Sequence, residues 1–223
     1  MFTPPILQAL HGFSSRRTLP ILGFALILFC AGRSQAADPA FSGTELRDSF
    51  PAQGEENTPP ELQGGWDYFT EKNGGHLDQQ PFIWESPNSE RWPAGRLKSG
   101  SAWIQHDANY DDALTVVPGS NETNFVLQWT APVDGSFQID GWFQKMQKTP
   151  DLAEKTDGVE LIIRGPDGKE LGKFTSGVED TEIKDFSYKL ANVKAGQAVQ
   201  FVVHADRVNW GNETRLSARI SKE

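Results

Sequence analysis

The sequence predicts an all-β fold, a two-sheet antiparallel β-sandwich of the jelly-roll kind, on three observations. From residue 113 to 220, short runs of apolar residues alternate with polar ones, the period of a half-buried strand. Gly and Pro turn signals separate those runs, so the chain doubles back in tight turns instead of crossing over through helices. No long amphipathic helix and no internal repeat interrupts the pattern. About ten short strands joined by turns bury their apolar faces by packing one sheet on another.

The chain opens on an address. Arg16 and Arg17 precede an apolar core at 19–31 that is too short for a comfortable membrane span. Ser34, Gln35 and Ala36 supply small residues for cleavage before Ala37. Residues 1–36 are therefore expected to be a signal peptide, the mature protein secreted or periplasmic, and a membrane no partner once the leader is gone. The single cysteine, Cys30, lies in the leader, so the mature chain is expected to hold no disulfide. Cleavage also removes Arg16, Arg17 and Arg33 and no acid, which makes the mature chain three charges more negative than the −9 of the whole. Such a chain repels nucleic acid, which is excluded as a partner.

Residues 37–65 are rich in Pro, Gly, Glu and Gln and read as a flexible N-terminal segment with little buried surface. The sandwich domain is expected over 66–223. Its first part, 66–112, is dense in aromatics without regular period, with short strands expected near 66–70 and 102–105. Strands then follow at 113–117, 124–130, 135–144, 159–164, 171–175, 186–190, 198–204 and 215–220. The polar run 145–155 reads as a long loop or one helical turn. Pro166-Asp167-Gly168, Val133-Asp134-Gly135 and Lys194-Ala195-Gly196 are tight turns. Parity sorts each strand into faces. Phe125, Leu127 and Trp129 share one face, as do Phe137, Ile139 and Phe143. So do Val159, Leu161 and Ile163, then Val199, Phe201 and Val203, then Leu216, Ala218 and Ile220. These are the expected core.

Several of these stretches carry a resemblance. WTAP at 129–132 with Asp134-Gly135, Asp157-Gly158-Val159, Val193-Lys194-Ala195-Gly196 before VQFVV, and the closing TRLSARI resemble the jelly-roll accessory domains of secreted bacterial proteins, which are similar to carbohydrate-binding modules. GGWDYF at 64–69 fits the aromatic opening that some of them carry. The resemblance covers about half the chain well, and its motifs are turns and core positions, specific for fold and weak for ligand. It implies a non-catalytic domain, often beside polysaccharide-active or surface proteins. Gln197 departs from the acidic residue that commonly follows the glycine of the last turn.

Three candidate sites follow. On the strand 135–144 the residues turned from the core are Gln138, Asp140, Trp142 and Gln144. An aromatic ring among amides and a carboxylate suits a sugar, with the ring against the pyranose C–H face and the polar groups on its hydroxyls. Gln128, Gln200 and His204 share that parity on other strands. The competing reading is that residues 66–112 cover this face, which Val126, Ile162 and Val202 favour. The second candidate is the loop DANYDD, where Asp107, Asn109 and Asp111 place oxygen ligands at alternate positions as a calcium loop does. An EF-hand is excluded, because Asp112 stands where glycine is needed and Pro118 where the closing Glu would fall. A looser structural calcium site is the one candidate cofactor, against the plain reading of a solvated acidic loop. The third candidate is a loop tryptophan, Trp210 in NWGNET or Trp92 in ERWPAGR, as a binding platform. Such tryptophans more often cap a core.

No Gly-x-Ser-x-Gly, His-Glu-x-x-His or phosphate loop is present. The expected function is binding a polysaccharide or cell-surface glycan without chemistry. An envelope structural or protein-interaction domain stands as the alternative, with a small polysaccharide-active enzyme around His106 and Asp107 behind it.

Overall fold

The computed structural model describes residues 41–223, apart from 52, 73–75, 79–80, 89–94, 108, 120–122, 153–157 and 206–211. The leader expected at 1–36, Trp92, Trp210 and Asp157 therefore lie outside the described residues. In chain order β1 (Gly43–Glu45) and one helical turn, α1 (Leu46–Ser49), come first. Then follow β2 (Trp66–Lys72), β3 (His76–Asp78), β4 (Ile83–Glu85), β5 (Arg96–Ser99), β6 (Ala102–His106) and β7 (Leu114–Val117). The second half comprises β8 (Asn124–Thr130), β9 (Gly135–Lys145), β10 (Val159–Arg164), β11 (Glu170–Ser176), β12 (Lys184–Val193), β13 (Ala198–Ala205) and β14 (Thr214–Lys222).

These strands form two antiparallel sheets. One runs β12-β9-β14-β7-β6-β5-β4 with β1 also paired to β14, and the other runs β11-β10-β13-β8-β2-β3. From β8 onward the chain changes sheet at nearly every connection, and only β10 and β11 form a hairpin within one sheet. That alternation is what makes a jelly roll of two stacked layers. Gly168 has φ +75 in the β10–β11 turn and Gly196 φ +84 in the turn before β13, conformations that need glycine. The second turn is tied to the turn between β8 and β9, because Asp134 accepts the Ala195 N–H at 2.8 Å and pairs with Lys194.

The parity reading holds at every position named for it. Phe125, Leu127, Trp129, Phe137, Ile139, Phe143, Val159, Leu161, Ile163, Val199, Phe201, Val203, Leu216, Ala218 and Ile220 are all 2 % exposed or less. Trp129 on β8 meets Phe137 on β9 edge-on at 5.0 Å, so aromatic contact joins the two sheets. Each large side chain in this layer contributes roughly 1.5–3 kcal/mol by leaving water. Val126 and Val202, on the other face, are also fully buried. The ion pair of Arg164 on β10 with Glu71 on β2, whose side chain is 4 % exposed, joins strands on either side of them.

Residues 41–50 differ from the loosely packed loop expected of them. β1 extends the larger sheet by pairing Gly43 with Ser221 and Glu45 with Arg219. Leu46 is fully buried, Phe50 nearly so, and Phe41 packs 6.0 Å from Trp129. Three apolar residues without a fixed period carry no strand or helix signal, yet each fills a gap at the border of the core. Residues 66–112 contribute their own strands, and Trp66 and Trp84 are core residues. Among the described residues, the strands of this segment in the larger sheet do not roof β9. β4, β5 and β6 lie beyond β7 in the same sheet.

Gly141 sits among the inward positions of β9. A Cβ there would lie 2.2 Å from the Ser217 carbonyl oxygen and 2.5 Å from Cζ of Phe186. The backbone oxygen cannot yield cheaply, so Gly141→Ala is expected to destabilise the domain by roughly 1–3 kcal/mol, the usual cost of overpacking. A thermal melt checks this, and an unchanged Tm would show that β9 and β14 have room to part.

Candidate functional site

Strand β9 positions the site. Its outward residues fall between β12 on one side and β14 on the other. Trp142 stands opposite Asp185 and Ser217, Asp140 opposite Ser187 and Arg219, and Gln144 opposite Arg215. Gln138 donates to Asp140 Oδ1 at 2.9 Å and to Ser187 Oγ at 2.8 Å, and Ser187 Oγ lies 2.8 Å from the same carboxylate oxygen. The three polar side chains thus hold each other in place. Gln144 donates to the Thr181 carbonyl at 2.9 Å and accepts from Arg215 at 3.2 Å. All four residues expected of this face are therefore on one surface.

The loop 107–112 closes one side. Trp142 Nε1 donates to Asp112 Oδ2 at 3.0 Å, and Ser217 Oγ donates to the same oxygen at 3.3 Å. The Tyr110 ring leans on the Trp142 ring at 5.3 Å and 60°. The Arg215 guanidinium lies 4.6 Å from the Tyr110 centroid, a cation–π contact. Between loop, β9, β14 and the end of β1 is a depression of about 310 Å³ lined by Glu45, Asp112, Asp140, Trp142, Ser217 and Arg219. One wall is a half-buried indole, and the rest is mostly hydroxyl, carboxylate and guanidinium.

The calcium reading of this loop is corrected by its donors. Asp107 Oδ1 accepts the N–H groups of Asn109 (2.8 Å) and Tyr110 (3.1 Å). Oδ2 accepts Thr115 Oγ1 (2.8 Å) and Arg215 Nε (2.9 Å). The side chain is 1 % exposed. Four donors occupy both oxygens, and the guanidinium supplies the positive charge a cation would bring, so Asp107 does not fit a calcium ligand. Asn109 and Asp111 are exposed on the loop. Burial works to raise the Asp107 pKa, but the hydrogen bonds from Asn109, Arg215 and Thr115 outweigh it and hold the carboxyl below the usual range. The same arrangement answers the idea of an acid–base pair at 106–107. His106 and Asp107 share no hydrogen bond, and His106 packs edge-on against Phe50 at 4.8 Å. Burial, with Arg47 nearby, pushes the His106 pKa down.

His204 belongs elsewhere. Together with Gln200 it lies on β13, and Gln128 lies on β8, both in the sheet that does not contain β9. Their outward faces point away from Trp142, on the far side of the sandwich. There Gln200 donates to Gln128 at 2.9 Å, and His204 Nδ1 lies 3.9 Å from Glu160. Parity matches within a strand but does not identify the sheet. Glu45, Tyr110, Asp112, Arg215, Ser217 and Arg219 are the site residues that strand reading misses. Arg215, Ser217 and Arg219 share the outward parity of β14, which is the one signal that could have found those three.

No family model matches the chain, and no curated protein matches it in sequence. Solved structures that resemble it include several carbohydrate-binding modules. The C-terminal CBM6 of LamC, a marine laminarinase from Zobellia galactanivorans, is 16% identical with a TM-score of 0.32, over 57% of this chain and 93% of that one. CBM6cm-2 from the Cellvibrio mixtus lichenase 5A, in complex with cellotriose, is 14% identical with a TM-score of 0.31, over 56% of this chain and 90% of that one. An arabinose-bound α-L-arabinofuranosidase, MgGH51, is 11% identical with a TM-score of 0.39, and this chain, 81% covered, spans 26% of it. The fold itself is a two-sheet antiparallel β-sandwich.

Proposed function

We propose that this protein is a secreted, non-catalytic β-sandwich that binds a polysaccharide or cell-surface glycan in the depression beside Trp142. The carrying observation is the placement of a half-buried indole on an open sheet face, directly beside hydrogen-bonded carboxylates and a serine. The ring offers an apolar surface to the C–H face of a sugar, and Asp140, Asp112 and the Ser217 oxygen offer acceptors to its hydroxyls. Prefixed bonds among Gln138, Asp140 and Ser187 reduce what must be ordered on binding. A leader at 1–36 and a secreted or periplasmic location belong to this reading.

The alternative, a domain that binds another protein through an apolar sheet face, asks for an apolar outer patch. Among the described residues Ile183, at 47 % exposed, is the one large apolar side chain left open. A screen of immobilised glycans followed by titration of the best binder tests the proposal. Trp142→Ala is expected to weaken binding about 10- to 100-fold, on the order of 1.4–2.7 kcal/mol, with little change in Tm. Glycan binding that survives this substitution at full strength would remove the site from the depression.

A further inference from the structure

The charges around Trp142 select among glycans. Resting on the reading that the depression binds a sugar chain, we infer that its ligand carries protonated amines, as a chain of non-acetylated amino sugars does. The indole is the first half of the argument. An aromatic face attracts a cation, most strongly when the ring is tryptophan and the site partly shields it from water. Trp142 is half-buried, with Tyr110 against it on one side and the depression alongside.

The second half is the sign and readiness of the charges about that ring. Asp112 and Asp140 line the depression and Glu45 closes its rim. Asp185 stands exposed opposite Trp142 on β12. Asp112 spends Oδ2 on the Trp142 and Ser217 donors, and Asp140 spends Oδ1 on Gln138 and Ser187. Among the described residues nothing bonds the second oxygen of each, which is already oriented by the bonds the first one makes. Among the described residues Arg219 is the only base lining the depression, and it is 67 % exposed and turned to Glu45 at 3.9 Å. Arg215, the other nearby base, is committed to Asp107. A uronic acid would meet carboxylates with no unpaired guanidinium to receive it. A neutral sugar would leave those open oxygens only hydroxyls. An ammonium group meets a ring face and carboxylate oxygens together, and charge-assisted bonds of this kind are about twice as strong as neutral ones.

The test compares hexamers of glucosamine, of N-acetylglucosamine and of galacturonic acid at about pH 6, below the ordinary range of an amine, with a lysine hexapeptide as a fourth arm. The full mature protein is titrated at low and high salt. The glucosamine chain is expected to bind about tenfold or more tighter than the N-acetylated chain, to lose most of that advantage as salt screens it, and the galacturonate chain to bind weakest. Asp140→Asn, which keeps the hydrogen-bonding shape, is expected to erase the preference while Tm stays near the wild-type value. Equal affinity for the glucosamine and N-acetylglucosamine chains, lost on Trp142→Ala, would overturn the amine requirement and leave glycan binding standing. Binding of none of these sugars would overturn the amine inference, and failure of the glycan screen as well would overturn the sugar-binding reading on which it rests. A lysine peptide that binds as tightly as the glucosamine chain would reassign the depression to cationic peptides.

Discussion

Ile139→Asp is expected to leave the domain unfolded at neutral pH, while a charge one residue earlier, Gln138→Lys, is expected to be tolerated. Ile139 is fully buried in the middle of β9, paired to Tyr188 on one side and Ile220 on the other. Removing its side chain costs roughly 2–5 kcal/mol in lost burial and cavity. An unpaired carboxylate in that layer adds several kcal/mol more. Together these match the roughly 5–15 kcal/mol that holds a domain folded. Gln138 faces outward, and a charge there falls within the roughly 0.5 kcal/mol typical of surface changes. Circular dichroism and urea titration of both variants check the pair. The contrast matters more than either value, because adjacent residues of a strand differ in nothing but face. A folded Ile139→Asp, or a Gln138→Lys as damaging, would mean that β9 does not present the faces on which the site is built.

That contrast also shows what the sequence makes legible. β9 and β13 are long enough for alternation to stand out, and both lie where it places them. β3 and β4 are three residues each, too few for a period of two to separate from chance. The site is legible to the same extent. Gln138, Asp140, Trp142 and Gln144 belong to one strand, so parity alone gathers them. His204 is misplaced by the same rule, because side chains of equal parity on β9 and β13 point to opposite sides of the sandwich once the chain has alternated between sheets. The loop is the hardest part. Asp107 has the residue type and spacing of a metal ligand, and only the adjacency of β7 and β14 reveals that Thr115 and Arg215 both take its Oδ2. A contact between residues 108 positions apart leaves no local pattern.

Asp107→Ala is therefore expected to cost far more than an acidic loop residue should, about 3–5 kcal/mol, the penalty of breaking a buried pair and stranding one partner. Arg215 is 13 % exposed, so its guanidinium would be left poorly hydrated beneath the Tyr110 ring. Two backbone N–H groups and the Thr115 hydroxyl would lose their acceptor together. The loop would then release Tyr110 and Asp112 from Trp142, so glycan affinity should fall along with Tm. Asp107→Asn keeps most of the shape and separates charge from packing. The native carboxyl is held below its unfolded range, so its contribution is complete above that range and is lost as pH falls through the lower, folded value. The wild type should accordingly lose stability on acidification over that window, and the Asn variant should lose less of it there. Urea midpoints of wild type and both variants from about pH 7 to 2 test this. An Ala variant within about 0.5 kcal/mol of wild type, or an Asn variant with an unaltered acid limb, would mean that the loop is held by its backbone and that Asp107 is one more solvated acid.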